Sequence, residues 1–324
     1  MANFVNDISL APDYVNTGEI QDFLEPGFTH RIILIPKGKK FTQAEMQTPY
    51  ATLLALISNN TNSLRAYPIG NFIGLDDKST EATIVTSATG RSTWVKDGQY
   101  HHVYEYDKGG ANYDNFLANF QNAQDYFDLL ILDKDNNAMI GTRPVLNTSN
   151  YVLQGFSLDL IYNPLMKWNN GADPTRHYIG FAFSDTDEFK KRLVYKVIPD
   201  SQPVLSLVGL KNLEFAYQPP YQALTSSVAK LRVTTGGGAT DLYDLYGAAL
   251  VALTANWSFR DASNNSLTCT VSLDAATKTL VFTFSGAGYT GLASGAVIQC
   301  YTPTISQMAA TIPGFANGYF ELTK

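Results

Sequence analysis

The sequence predicts a mainly β protein built as two β-rich domains, and three observations carry that expectation. Short apolar runs recur between clusters of turn formers along most of the chain. Several alternate strictly: in Leu267-Thr268-Cys269-Thr270-Val271-Ser272-Leu273 each odd position is apolar and each even one polar, the period of a half-buried strand. Residues 199–203 (PDSQP) then mark a boundary beyond which Ala, Thr, Ser and Gly dominate. The expected layout is an extended arm over residues 1–30, a sandwich- or barrel-like domain with one or two flanking helices over 31–203, and a smaller sandwich over 204–324. A length of 324 residues suits two domains with separate cores.

Residues 1–30 combine weak periodicity with Pro12, Gly18, Pro26 and Gly27, which suits an arm. Residues 31–36 (RIILIP) read as a short buried strand. Thr42 and Glu45 have capping-box spacing, but Pro49 breaks a helix that starts there. The preferred reading is a short turn, Thr48 as N-cap, Pro49 at the first helical position and a helix ending near Ser58. Its apolar stripe is Leu53, Leu54 and Ile57. Residues 59–80 are polar and turn-rich, and read as a long loop or a loosely paired hairpin. Residues 81–95 and 99–106 read as two strands joined at Lys96-Asp97-Gly98, because Asp-Gly is a strong hairpin signal. Asn112 caps a second helix in which Tyr113, Phe116, Leu117 and Phe120 follow the i, i+3, i+4, i+7 pattern.

Further strands are expected at 127–133 and 138–142, around the turn Lys134-Asp135-Asn136-Asn137, and at 156–162, 178–184 and 193–198. In the second part they fall at 230–234, 257–260, 267–273 and 279–285, while residues 240–253 fit a helix or a buried strand equally. Short strands at such spacing suggest an immunoglobulin-like sandwich.

Only 16% of the residues are Asp, Glu, Lys or Arg, whereas 18 Phe and 19 Tyr are present. An average soluble domain carries roughly 25% charged residues. The chain therefore has more neutral and apolar surface than a free monomer usually tolerates, and copies of itself are the natural cover. A net charge of −6 argues against a dedicated nucleic-acid binder, which needs a basic patch to neutralise phosphates. No basic segment followed by an apolar stretch opens the chain, and no apolar run approaches the roughly 20 residues that span a bilayer. The expectation is a protein made in the cytoplasm, without membrane contact. There, reduced buried thiols at Cys269 and Cys300 are favoured over a disulfide.

No motif in the sequence carries recognisable catalytic chemistry. Adjacent His101 and His102 point to opposite faces of a strand, so one metal does not readily take both. Asp133-Lys134-Asp135-Asn136-Asn137 opens like a calcium loop, but Ala138 and Pro144 stand where such a loop needs Gly and Glu. Gly236-Gly237-Gly238 lacks the Gly-Lys-Ser/Thr of a phosphate loop. The chain is therefore read as a non-enzyme with no cofactor and no metal. Tyr100, His102, Tyr104 and Tyr106 share one face of a strand, which suits a core face, a subunit interface or a sugar-stacking surface.

A β-rich N-terminal domain with a flanking helix and a long loop, followed by a Thr/Ser/Ala-rich β domain, resembles the virion structural proteins of tailed bacteriophages. Among them it is most similar to a tail tube subunit with an immunoglobulin-like appendage. Residues 81–90 (EATIVTSATG) look like the long strands that close such tubes. The resemblance implies rings of copies stacked into a DNA-conducting channel in the virion, with other virion proteins as partners and DNA passing without sequence-specific binding. It implies interface roles for Phe4, Val5, Phe72, Ile73, Tyr100, Tyr104 and Tyr106, and an acidic lumen lined by Asp76, Asp77 and Glu81. A capsid-associated or other virion protein is the nearest alternative. A carbohydrate-binding adhesin module is the rival from another class, and a glycan hydrolase comes third.

Overall fold

The run Ile32-Ile33-Leu34-Ile35 is too short for a stable helix and too apolar for an edge, and it becomes the central strand β1 (Thr29–Pro36). The computed structural model describes residues 27–106, 110–144, 151–169, 171, 174–190, 192–217, 227–235, 238 and 240–324. Among these the chain forms two units, one of residues up to 57 with 63–208, the other of 58–62 with 209–324. The division falls after Val208, beyond the PDSQP stretch, because residues 204–206 form a short 3-10 turn whose Val204 is buried within the first unit.

After β1 the first unit continues with β2 (Lys40–Phe41), α1 (Gln43–Gln47) and α2 (Pro49–Ile57). The Thr42–Glu45 capping box does form, and α1 simply ends before Pro49, which opens α2. Thus the proline separates two helices instead of excluding the first. Next come β3 (Tyr67–Gly70), β4 (Gly74–Asp77), β5 (Thr83–Thr86), β6 (Ser92–Lys96), β7 (His101–Tyr106) and α3 (Gly110–Ala118). The set closes with β8 (Phe127–Asp133), β9 (Ala138–Pro144), β10 (Tyr151–Gln154), β11 (Phe156–Tyr162), β12 (His177–Phe183), α4 (Asp187–Lys190) and β13 (Leu193–Lys196).

Eleven of these strands form one antiparallel network, with a main path β2-β10-β9-β8-β11-β12-β7-β4 and with β1 lying between β3 and β8. The segment read as a loop over 59–80 thus contributes two strands: β3 pairs with β1, and β4 with β7. Both pairings lie within the first unit. The network turns along β11, which follows Gly155. Phe156 and Ser157 of β11 pair with β8, whereas Leu158 to Tyr162 pair with β12. A side chain at Gly155 would place its Cβ 2.8 Å from Ile35 Cδ1, 2.9 Å from Asp128 Cβ and 3.0 Å from the Leu129 carbonyl oxygen. The bend brings Ile32, Leu34, Leu129 and Ile131 into one core with Tyr104, Ile179, Phe181 and Phe183. Phe156 lies at its centre, fully buried and stacked on Phe189 at 4.3 Å.

The β8–β9 turn is the hairpin expected from the sequence, and one carboxylate organises it. Asp133 accepts the backbone N–H of Asp135 and of Asn137, both at 2.9 Å, and the hydroxyl of Tyr195. Burial acts to raise its pKa, but the hydrogen bonds from Tyr195 and Asn137 outweigh burial and hold the carboxyl below its ordinary value.

The second unit comprises β14 (Glu214–Tyr217), β15 (Val228–Thr235), β16 (Thr240–Asp241), α5 (Tyr243–Ala252), β17 (Ser258–Asp261), β18 (Thr268–Asp274), β19 (Thr279–Ser285), α6 (Gly286–Thr290), β20 (Val297–Tyr301), α7 (Ile305–Met308) and β21 (Tyr319–Thr323). The ambiguous stretch 240–253 resolves into β16 and α5. One sheet runs β14-β15-β19-β18, with β16 beside β15, and the other runs β17-β20-β21. Lettered in chain order without β16, these are A-B-E-D and C-F-G, the strand order of an immunoglobulin constant-type sandwich. Antibody domains pack a strand-C tryptophan on a disulfide. Here Trp257, next to β17, packs instead on Phe282 at 5.3 Å and Phe215 at 5.8 Å, and Cys269 and Cys300 are free thiols. Burial pushes the Cys269 thiol up to about 12 and raises Cys300 as well, so neither is a ready nucleophile.

Two variants test this architecture. Gly155→Ala is expected to destabilise the fold by about 1–3 kcal/mol in urea melts, because backbone as well as side chains must move. Asp133→Asn is expected to cost about 2 kcal/mol at pH 7. The folded-state pKa of Asp133 lies below its unfolded value, so its stabilisation is complete above an unfolded pKa of about 3.9 and is lost as pH falls through the folded value. The gap between wild type and variant should therefore narrow on acidification below about pH 4; a gap that widens would contradict this role.

Candidate functional site

The four-stranded part of the first unit, β11-β12-β7-β4, forms a ruler with distinct ends. His101 faces Ala182 at one end of β7 and Tyr106 faces His177 at the other. Five residue steps of strand separate them by about 17 Å. One projection leaves each end.

At the His101 end, β5 and β6 form a separate two-stranded ribbon joined to the sheet only through its stems. The sequence reading placed the hairpin turn at Asp97-Gly98, but the chain reverses at residues 87–91, where Gly90 adopts φ +80° and donates to the Ser87 carbonyl. Gly98 instead marks where the stems cross: a Cβ there would lie 1.9 Å from the Thr80 carbonyl oxygen. Gln99 clamps the base, its side chain donating to Asp159 and to the Phe183 carbonyl, both at 3.1 Å. Every residue of β5 and β6 is exposed. Ile84 and Trp94 face each other across the ribbon and are 62% and 58% exposed, and Val85 and Val95 are exposed too. A lone two-stranded ribbon is marginally stable in water, and among the described residues both of its outer edges lack strand partners.

At the Tyr106 end, the connection between β11 and β12 extends beyond the sheet. Lys167 and Arg176 exchange backbone hydrogen bonds at 2.9 and 3.0 Å, an isolated antiparallel bridge within this connection. Its Leu165 is 93% exposed and Trp168 76% exposed. The sequence reading did not single out this site. Its signal was an apolar pair inside a turn-rich segment, Leu165 and Trp168 among Asn163, Pro164, Asn169 and Gly171.

The residues expected at an interface separate into three groups. Phe4 and Val5 lie outside the described residues. Phe72, Tyr104 and Tyr106 are buried in the core of their own unit, with Phe72 stacked on Tyr104 at 4.6 Å. The strand alternation was read correctly, but the tyrosine face points inward, so these three are not interface residues. Tyr100 packs against the same core, with its ring 4.8 Å from Phe189. Ile73 alone of the described set is exposed.

The acidic trio does not form one lining. Asp76 and Asp77 are consecutive on the edge strand β4 and so project to opposite faces. Asp76 is paired with Lys78 at 3.4 Å. Asp77 accepts the Ser79 backbone N–H at 2.9 Å, and the Ser79 hydrogen bonds hold its carboxyl below the ordinary value. Glu81 is exposed near the ribbon base.

The arrangement offers exposed apolar contact at both ends of the sheet. If the ribbon side chains serve contact with another molecule, removing them leaves the free chain intact. Replacing Ile84 and Trp94 together by Ser is expected to change unfolding free energy by no more than about 0.5 kcal/mol, since surface substitutions rarely exceed that. A loss of several kcal/mol in denaturant melts would show that the ribbon packs within its own chain. Compared with known proteins, the chain matches no family model and no curated sequence.

Proposed function

We propose that this chain is a structural subunit that assembles with copies of itself, head to tail, through the two apolar projections of its first unit. The observation that carries the reading is their placement at opposite ends of one sheet. Two different patches that meet only between molecules make a heterologous contact, which closes into rings or continues into filaments. Identical patches on one face would instead stop at a dimer. Low charge and many aromatics support the same reading, because such surface is usually covered.

Within that class, the tail tube protein of a tailed bacteriophage is the specific proposal, with a virion location and other virion proteins as neighbours. Its support is the layout: a β domain with a projecting ribbon, followed by an immunoglobulin-like unit as an appendage. In such a tube DNA passes through a channel without sequence-specific contacts, and the negative net charge of −6 is compatible with sliding rather than sticking. A capsid-associated role uses the same contacts and differs only in position within the particle.

Sedimentation velocity across micromolar concentrations tests the assembly, together with negative-stain microscopy of the heaviest fraction. Rings or filaments are expected, and Trp168→Ser should shift the distribution to small species. A strictly monomeric wild type at every concentration would overturn the proposal.

A further inference from the structure

The second unit carries a surface that the assembly reading leaves unused. On β17, β20 and β21 the residues alternate: Phe259, Ile298, Cys300 and Leu322 are buried, whereas Ser258, Arg260, Gln299, Tyr301, Tyr319 and Glu321 point away from the core. The strand registers align them in rows. Ser258 lies opposite Tyr301, which lies opposite Tyr319; Arg260 lies opposite Gln299, which lies opposite Glu321. The first row is aromatic, with the Tyr301 and Tyr319 rings 5.1 Å apart and tilted by 46°. The second row offers a guanidinium, an amide and a carboxylate, which are planar hydrogen-bonding groups.

The geometry points to this outer face of β17-β20-β21 as a binding platform for a neutral oligosaccharide. Two tyrosines side by side, inclined to each other by 46°, supply apolar ring contact for the C–H faces of sugar rings. The neighbouring row supplies donors and acceptors for ring hydroxyls. Its one cation and one anion cancel, which favours an uncharged, polyhydroxylated partner over nucleic acid or an acidic polymer.

The groups are also held in place. Tyr319 donates its hydroxyl to Glu321, and Tyr301 is 3.4 Å from Gln299 Oε1. Arg260 donates to Ser258 Oγ at 3.2 Å and to Asn264 Oδ1 at 2.7 Å. Such fixing lowers the ordering cost of binding.

Size separates this ligand from a second copy of the chain. Three strands about 4.8 Å apart and about five residues long, at about 3.4 Å per residue, present a patch of about 240 Å². A stable protein interface buries about 800 Å² on each partner. The patch is thus too small to hold a protein by itself and wide enough for a few sugars.

Isothermal titration of the full chain with hexasaccharides of glucose, N-acetylglucosamine, mannose and galactose tests the assignment. Binding of at least one is expected. Tyr319→Ala should weaken it by about tenfold or more, as loss of an aromatic anchor does, while Tyr319→Phe, which keeps the ring, should stay within about threefold, since one exposed hydroxyl contributes little. Because Tyr319 is exposed, thermal melts of both variants should match wild type. Absence of binding to all four sugars would overturn the proposal. So would binding that Tyr319→Ala leaves unchanged, or a Tyr319→Ala effect on self-association in place of sugar affinity.

Discussion

Along β11, between Ser157 and Leu158, the chain leaves one group of strands and enters another, and the first unit depends on that passage. β10 pairs with β9 and β2, and β11 starts on β8 and finishes on β12. Only glycine fits at residue 155, because Ile35, Asp128 and the Leu129 carbonyl already occupy the space a Cβ needs. The turn of direction lets Phe156 enter the core, where it stacks on Phe189 and meets Phe183 edge-on at 6.1 Å. Two sheet halves that share one strand close over one core, and neither can be moved without disturbing the other.

That closure turns the β11-β12-β7-β4 sheet into a rigid spacer. Its two ends then differ in a way that chain order alone does not reveal. The ribbon of Ile84 and Trp94 sits where β4 hands over to β7, and Leu165 and Trp168 sit where β11 hands over to β12. Rigidity between contact points favours growth over collapse, since each added subunit inherits the same geometry. The second unit has its own aromatic core around Trp257 and Phe282, which lets its outer sheet face serve a separate purpose.

Much of this fold was legible in the sequence, chiefly where the pattern was local. The β8–β9 hairpin, β12, β18 and β19 follow from alternation and turn residues, and the two-sheet sandwich of the second unit follows from strand spacing. What misled was long-range pairing. Residues 67–77 look like loop because Pro68, Gly70 and Gly74 interrupt them, yet β1 and β7 supply partners more than thirty residues of fold away in the case of β1. Asp97-Gly98 carried a real constraint, a close approach to Thr80, but not the turn expected there. The contact residues were the hardest to see. Alternation cannot tell a ribbon exposed on both sides from a strand with one buried face, so Trp94 looked ordinary. The tyrosine row had the opposite fate: its alternation was plain, and only packing showed that Tyr104 and Tyr106 face inward.

Head-to-tail contact makes a specific demand on mixtures, and this is the most direct test of the account. A Trp94→Ser chain keeps a working Leu165–Trp168 end, and a Trp168→Ser chain keeps a working ribbon. Each alone should remain monomeric in sedimentation velocity. Mixed in equal amounts, they should form a one-to-one dimer and nothing longer, because only one competent pair of ends remains. If the Trp168→Ser chain alone assembles through ribbon-to-ribbon contact, or if the mixture stays monomeric while the wild type grows, the two projections do not meet and the head-to-tail account is wrong.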